Sequence, residues 1–229
     1  MTIEYFEVGG CVRDRFMGNH KPKDIDYTVV APSYEAMKAD IEKRADKIFL
    51  EKPEYQTIRA KVAGVDADFV LARKDGAYSD GRRPDSVEPG TIFDDLARRD
   101  FTMNAIAQSV TGDIIDPFNG RDDIATRLIR TVGNPYDRFS EDALRMLRAV
   151  RFAVTKSFYL HVGVHACLHD WTLLEKLESV SAERIREELN KCFAHSTQDT
   201  LDMLESYRDL RKVVFRTGIS LEVSLRKRD

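Results

Sequence analysis

Residues 3–8 form a short apolar run that ends at Gly9-Gly10, and Val12 and Phe16 follow at helical spacing. That pattern predicts strand, glycine turn and helix. Lys21-Pro22-Lys23 breaks the helix. Ile25, Tyr27 and Val29 then alternate with Asp24, Asp26 and Thr28, the period of a half-buried strand. Ala31-Pro32-Ser33 makes a turn in which Ser33 caps a helix that runs to about Arg44. Residues 55–62 and 65–71 read as two strands joined at Ala63-Gly64, and the polar, Gly-, Asp-, Arg- and Pro-rich segment 73–90 reads as a loop. From Ile92 onward helical patterns dominate, interrupted over 112–120 and again near Gly133-Asn134-Pro135. The pattern therefore predicts a mixed α and β part followed by a helical part, with a boundary at 130–138.

Composition narrows the classes. The chain has 229 residues, 42% of them hydrophobic and 33% charged, enough for a core and a solvated surface, which excludes a disordered chain. Its length suits one large domain or two small ones. Lys and Arg number 36 against 39 Asp and Glu, a net charge of -3, which argues against wholesale coating by nucleic acid but leaves room for a local basic track. Three widely spaced cysteines, Cys11, Cys167 and Cys192, form no CxxC pair and suggest a reducing compartment. No basic-then-apolar leader opens the chain and no apolar run approaches about 18 residues, so a soluble, cytoplasmic protein without a membrane partner is expected.

Asp24 and Asp26 stand two apart on a predicted strand, so their side chains share one face. Two like charges held close require a positive partner, which Mg2+, or Mn2+ in its place, would supply together with substrate phosphates. A solvated edge strand with the same D-x-D spacing needs no metal, and both readings stand at this point. Asp66 and Asp68 repeat the spacing on another strand; Asp68, deeper in its run, is the choice for a third carboxylate. Gly9-Gly10 before a helix start, with Arg13 close by, suits backbone and guanidinium contacts to phosphate, or serves as a simple turn. Residues 138–152 predict one helix capped at Ser140, with Leu144, Leu147 and Val150 on the buried face. Asp142, Arg145, Arg148 and Arg151 recur beside them every third position. This polar stripe is either a set of surface ion pairs or a nucleotide reader. In the second case Asp accepts from the amino group of cytosine or adenine while Arg donates to ring acceptors.

Several blocks occur in a fixed order: Gly9-Gly10-Cys11-Val12-Arg13-Asp14 with Lys23-Asp24-Ile25-Asp26; Arg98-Arg99-Asp100-Phe101-Thr102-Met103-Asn104-Ala105; Asp116-Pro117-Phe118-Asn119-Gly120; Arg130-Thr131-Val132-Gly133 leading into the arginine helix; and Ser181-Ala182-Glu183-Arg184-Ile185-Arg186-Glu187-Glu188-Leu189. Together they cover about residues 5–190 and resemble the class II nucleotidyltransferases, the bacterial-type CCA-adding tRNA nucleotidyltransferases and related poly(A) polymerases. The resemblance implies an α+β, polymerase-β-like head with a small mixed sheet over 1–135, and a helical neck with truncated body over 136–229. It assigns Asp24, Asp26 and Asp68 to catalysis and Mg2+, and Gly9, Gly10 and Arg13 to the triphosphate. Arg98 and Arg99 contact the nucleotide in this scheme. Asp142 and Arg145 read the base, with Arg148 and Arg151 in support, and the 73–90 loop is similar to the element that helps switch from C to A.

The implied activity is metal-dependent transfer of CMP and AMP from CTP and ATP to the 3′ end of RNA, tRNA above all. Poly(A)-type or partial C- or A-addition and a non-catalytic RNA-binding role are the alternatives. Cys11 departs from the small aliphatic residue usual in that block and is expected to be an inert buried thiol. Over 207–229 seven basic residues (Arg208, Arg211, Lys212, Arg216, Arg226, Lys227, Arg228) face three acidic ones (Asp209, Glu222, Asp229), which suits either an RNA backbone or a solvated helix. Members of the family are usually longer, so a short form with a reduced tRNA-gripping region is expected.

Overall fold

The computed structural model describes residues 2–19, 25–76, 86–216 and 218. Asp24, residues 77–85 of the loop segment, and Glu222, Arg226, Lys227, Arg228 and Asp229 of the basic segment lie outside the described residues. The described chain divides after Thr126 into two units.

The first unit is built on strands β1 (Glu4–Val8), β2 (Ile25–Val30), β3 (Ala45–Lys52), β4 (Thr57–Val62), β5 (Val65–Leu71), β8 (Ala107–Ser109) and β9 (Ile114–Ile115), with a small hairpin of β6 (Arg73–Asp75) and β7 (Val87–Pro89). Helices α1 (Gly10–Phe16), α2 (Tyr34–Arg44), α3 (Ile92–Ala97) and α4 (Gly120–Ala125) complete it. The sheet runs β3-β4-β5-β2-β1-β8-β9 and is mixed, since β2 and β5 are parallel while the other neighbouring pairs are antiparallel. The alternation along β2 is realised as two faces. Val29 packs with Met37, Ile41, Ile58, Phe69 and Leu71 under α2. On that face Tyr27 stacks on Phe69 with ring centroids 5.2 Å apart. Asp26 and Thr28 turn to the opposite face.

Local chemistry explains the punctuation. Ser33 Oγ accepts from the Ala36 amide at 3.2 Å and starts α2. Ala63 and Gly64 both adopt positive φ (50° and 78°), the two-residue turn whose twist suits a hairpin between β4 and β5. The β3 strand and the β6–β7 hairpin were not expected. β3 carries the mostly exposed, charged sequence ADKIFLEK and exists as an edge strand through its backbone pairing to β4.

On the other face of β2 the key contact is polar. Asp95, fully buried on α3, accepts hydrogen bonds from Thr28 Oγ1 (2.9 Å) and from Nε (3.1 Å) and Nη2 (2.8 Å) of Arg99, and it pairs with Arg98. Burial alone would raise its pKa, but the Arg99 and Arg98 guanidiniums outweigh that and hold it at about 2. Nearby, α1, α4 and the turn Thr102–Asn104 pack on one another around fully buried Met103 and Ile106.

The second unit holds β10 (Leu128–Ile129), α5 (Pro135–Glu141), α6 (Leu144–Lys156), β11 (Tyr159–Leu160), α7 (Val162–Cys167), α8 (Trp171–Glu178), α9 (Ala182–His195), α10 (Thr197–Ser206) and α11 (Arg208–Phe215). β10 and β11 form a short parallel pair. The amphipathic α6 buries Met146, Leu147 and Val150 and packs along α9. The single helix expected over 138–152 is in fact two. Asn134 Oδ1 accepts from the Tyr136 and Asp137 amides and Pro135 supplies the first helical φ, so helix begins earlier and places Ser140 inside α5. At Asp142 the backbone is extended (φ -151°, ψ 103°) and the helix is broken.

Two outcomes follow from the packing. At Gly120 a Cβ would overlap the Thr102 carbonyl and lie 2.8 Å from its carbon, so Gly120→Ala should destabilise the first unit by about 2 kcal/mol in urea denaturation. Asp95→Asn should cost about 2 kcal/mol at pH 7, because the depressed folded-state pKa makes ionised Asp95 stabilising above its ordinary value of 3.8. That contribution disappears as pH falls from about 4 to about 2, so the gap between wild type and variant should close there. A gap of constant size across that window contradicts the assignment.

Candidate active site

The parallel register of β2 on β5 sets Asp26 directly beside Asp68. Asp26 is exposed, and Asp68 is half-buried with Arg59 Nη1 at 3.4 Å from the adjoining strand β4. Asp66 instead faces Lys61 on β4, at 3.3 Å. Two carboxylates opposed on one sheet face are hard oxygen donors of the kind Mg2+ takes. Among the described residues no group of three His, Cys, Asp or Glu is gathered for a metal ion, and Asp24 lies outside those residues.

Thr28, two residues beyond Asp26 on the same face, leads to the next part. Through Asp95 it fixes Arg99, whose Nη2 is 3.3 Å from Thr28 Oγ1 and whose Nη1 approaches the Asn104 carbonyl at 3.4 Å. The same Nη1 lies against the turn between β1 and α1. Gly9 there has φ 70° and ψ -125°, and a Cβ on it would come within 2.8 Å of Arg99 Nη1. Glycine suits that backbone conformation, and a side chain there would oblige the Arg99 guanidinium to move. One turn into α1, buried Arg13 donates to Asn104 Oδ1 at 2.6 Å and to Asp14 at 2.9 Å. Asn104 in turn donates to Asp100 at 2.9 Å, and Asp100 accepts from the Phe101 amide at 2.8 Å. Gly9, Gly10, Arg13 and Arg99 are thereby brought together, with Arg98 on the far side of the shared Asp95. Cys11 is buried in α1, donates to the Val8 carbonyl at 3.2 Å, and burial pushes its thiol pKa up, so it is no thiolate nucleophile.

In the second unit Asp142 and Arg145 meet at the break between α5 and α6, where the Arg145 amide donates to the Asp142 carbonyl at 3.0 Å. The Arg145 guanidinium donates to Glu141 (2.6 Å) and to the Arg138 carbonyl (3.0 Å). The Asp142 carboxylate accepts from the Leu144 amide at 3.1 Å and from Arg184 of α9 at 2.8 Å. Farther along α6, Arg148 stands over the Phe152 ring, 5.8 Å from its centroid, and Arg151 pairs with buried Glu188 of α9 at 2.6 Å. The four-residue stripe therefore separates into a pair at the helix break and two arginines turned to other partners.

Sequence reasoning passed over Thr28, Asp95 and Arg184. Asp95 left a readable trace, three and four residues before Arg98 and Arg99 in a helix whose start carries the Thr91–Asp94 capping box. Arg184 stood inside the Ser181–Leu189 block, but its pairing left no local trace, since Asp142 is 42 positions away.

Residues 5–130 match the family described as the poly A polymerase head domain. The CCA-adding enzyme of Oceanobacillus iheyensis is 35% identical over 220 residues, which take in 95% of this chain and 53% of that protein. Among solved structures, the Bacillus stearothermophilus CCA-adding enzyme in complex with CTP superposes with a TM-score of 0.79 at 33% identity, covering 95% of this chain and 51% of its own. The Thermotoga maritima CCA-adding enzyme complexed with tRNA does so with a TM-score of 0.74 at 26% identity, covering 94% and 49%. The chain thus spans about half the length of the curated relatives it matches. The match over residues 5–130 and the likeness to these relatives, on a mixed sheet followed by helices, make the chain a member of the poly A polymerase head domain family, within the class II nucleotidyltransferases that include the CCA-adding enzymes.

Proposed function

We propose that this chain transfers CMP and AMP from CTP and ATP to the 3′ end of RNA in the cytoplasm, with tRNA lacking its CCA end as acceptor. The observation that carries the reading is the side-by-side pair Asp26 and Asp68, on the sheet face that also bears the Thr28–Asp95–Arg99 chain of hydrogen bonds. The three buried cysteines, none of them in a disulfide, suit a reducing compartment. Among the described residues no helix is long and apolar enough to cross a membrane.

In this reading Asp24, Asp26 and Asp68 would hold magnesium, which when bound would supply positive charge for the attacking 3′-oxygen and the departing pyrophosphate. Arg13 and Arg99 grip the triphosphate beside the Gly9-Gly10 turn, where the absence of side chains lets phosphate approach the backbone. Asn104 and Asp95 restrain those two guanidiniums before substrate arrives, so less side-chain freedom is lost on binding. The 3′-oxygen attacks the α-phosphorus, the bond to the bridging oxygen of the β-phosphate breaks, and no covalent protein intermediate forms. Asp142 accepts from the amino group of cytosine or adenine and Arg145 donates to a ring acceptor. Uracil and guanine present a carbonyl where the amino group is needed, and two acceptors then face each other.

Purified protein with Mg2+, tRNAs ending before CCA, after C and after CC, and each labelled NTP in turn, tests the reading. CTP incorporation followed by a single ATP is the expected result. Long A tails would indicate poly(A)-type addition, and absence of incorporation on every RNA overturns transferase activity. Asp26→Ala should lower incorporation at least about 100-fold with the fold retained by circular dichroism. Asp142→Ala should relax the choice of base; unchanged C/A selectivity would remove Asp142 from that role.

A further inference from the structure

We infer that the open sheet face across β5, β4 and β3 is the track on which the acceptor RNA strand lies as it reaches the carboxylates, an inference that rests on the proposed transferase activity. Its direction follows from the sheet order β3-β4-β5-β2-β1. Asp26 on β2 has the Gly9 turn and Arg13 on its β1 side, and these are the groups proposed to meet the triphosphate. In-line displacement puts the attacking 3′-oxygen opposite the departing pyrophosphate. The acceptor strand must therefore arrive from the other side, over β5.

The cross-strand register lines up what that strand would meet. Asp26 stands beside Asp68, Asp68 beside Arg59 of β4, and Lys61 lies two residues from Arg59 on the same face. β3 continues the face with Lys47, opposite Lys61, and Lys52, opposite Thr57. Plain alternation would send Lys47 and Lys52 to opposite faces. The register shift between Ile48 and Leu50 inserts one residue, Phe49, and so brings both lysines to the carboxylate face. From Asp68 the track runs two strands to β3, about 10 Å, the axial span of about three phosphates of one strand. The charge on β3 is open to a polyanion. The Lys47 and Lys52 ammonium groups lie over the exposed rings of Phe49 and Tyr55, 5.4 and 6.0 Å from their centroids, and neither has an ion pair among the described residues. Glu51, between them in the chain, turns to Lys38 of α2 at 2.6 Å. Of the acids on β5, Lys61 holds Asp66 and Arg59 holds Asp68. On α11, by contrast, Arg208, Arg211, Lys212 and Arg216 each face a carboxylate already. An exposed cation above an exposed ring gives phosphate a counter-ion and a base a surface to stack on.

The test is a fluorescence-anisotropy titration of labelled tRNA lacking CCA with the purified chain, without nucleotide and over a range of salt concentrations. Lys47→Gln/Lys52→Gln is compared with wild type and with Lys43→Gln, a control of equal charge change on α2, which covers the opposite sheet face. The double variant should bind roughly tenfold more weakly and lose about 0.7 per lysine from the slope of log affinity against log salt. Lys43→Gln should match wild type. In the incorporation assay the double variant should raise the KM for tRNA and leave that for CTP in place. Lys47→Gln alone carries the test if the double variant does not fold. Affinity and slope equal to wild type, or an equal loss in Lys43→Gln, overturn the track and leave the transferase reading standing. A wild type that binds tRNA through these lysines yet incorporates nothing overturns the transferase reading instead. A wild type that binds no tRNA overturns both the track and the proposed acceptor.

Discussion

Asp95 is an ionised carboxylate with no exposure, and much of the first unit is arranged so that it can remain so. Isolated, a buried charge of this kind is costly and would take up a proton. Here two guanidiniums and a threonine hydroxyl compensate it, and each of these donors is thereby located. Thr28 ties α3 to the strand that carries Asp26. Arg99 lies against Gly9, where any side chain would require its guanidinium to shift. Arg13, one helical turn past that glycine, is fixed by Asn104, which follows Arg99 by five residues. The two cations proposed to meet the triphosphate are therefore set by Asn104 and Asp95, and misplacing Asp95 would displace Arg99.

The second unit uses the same device at lower burial. A helix break takes Asp142 out of helical geometry; its carbonyl still accepts from the Arg145 amide, and its carboxylate is held by one backbone amide and one distant guanidinium. In the same helix pair Arg151 of α6 is held by buried Glu188 of α9. In both units the residues proposed to meet nucleotide are held by oppositely charged or hydrogen-bonding partners, so that recognition depends on a prior internal arrangement.

Much of this was legible from the chain alone where local rules decide. The alternation of Ile25, Tyr27 and Val29 with Asp26 and Thr28 foretold which residues face α2, and Ala63-Gly64 foretold the β4–β5 hairpin. The ordered blocks pointed to the family. What was not legible depends on pairing at a distance. Preference for Asp68 over Asp66 acquires its physical basis only from the parallel register of β2 on β5, which no local pattern encodes. β3 was hidden because an edge strand tolerates charge at most positions. The single helix read over 138–152 failed because the apolar period runs on through Asp142, while Asn134-Pro135 starts one helix early and the Asp142 side chain caps the next. Arg184 stood in the Ser181–Leu189 block, but its partner Asp142 could be found only once α9 was laid against α6.

A structure of the chain with CTP and Mg2+ bound is the most direct measurement of the central claim. The account predicts the cytosine amino group within hydrogen-bond distance of the Asp142 carboxylate while Arg184 keeps its hold on Oδ2. A bound CTP whose base makes no contact with Asp142, or an Asp142 side chain turned away from both Arg184 and the base, would contradict it.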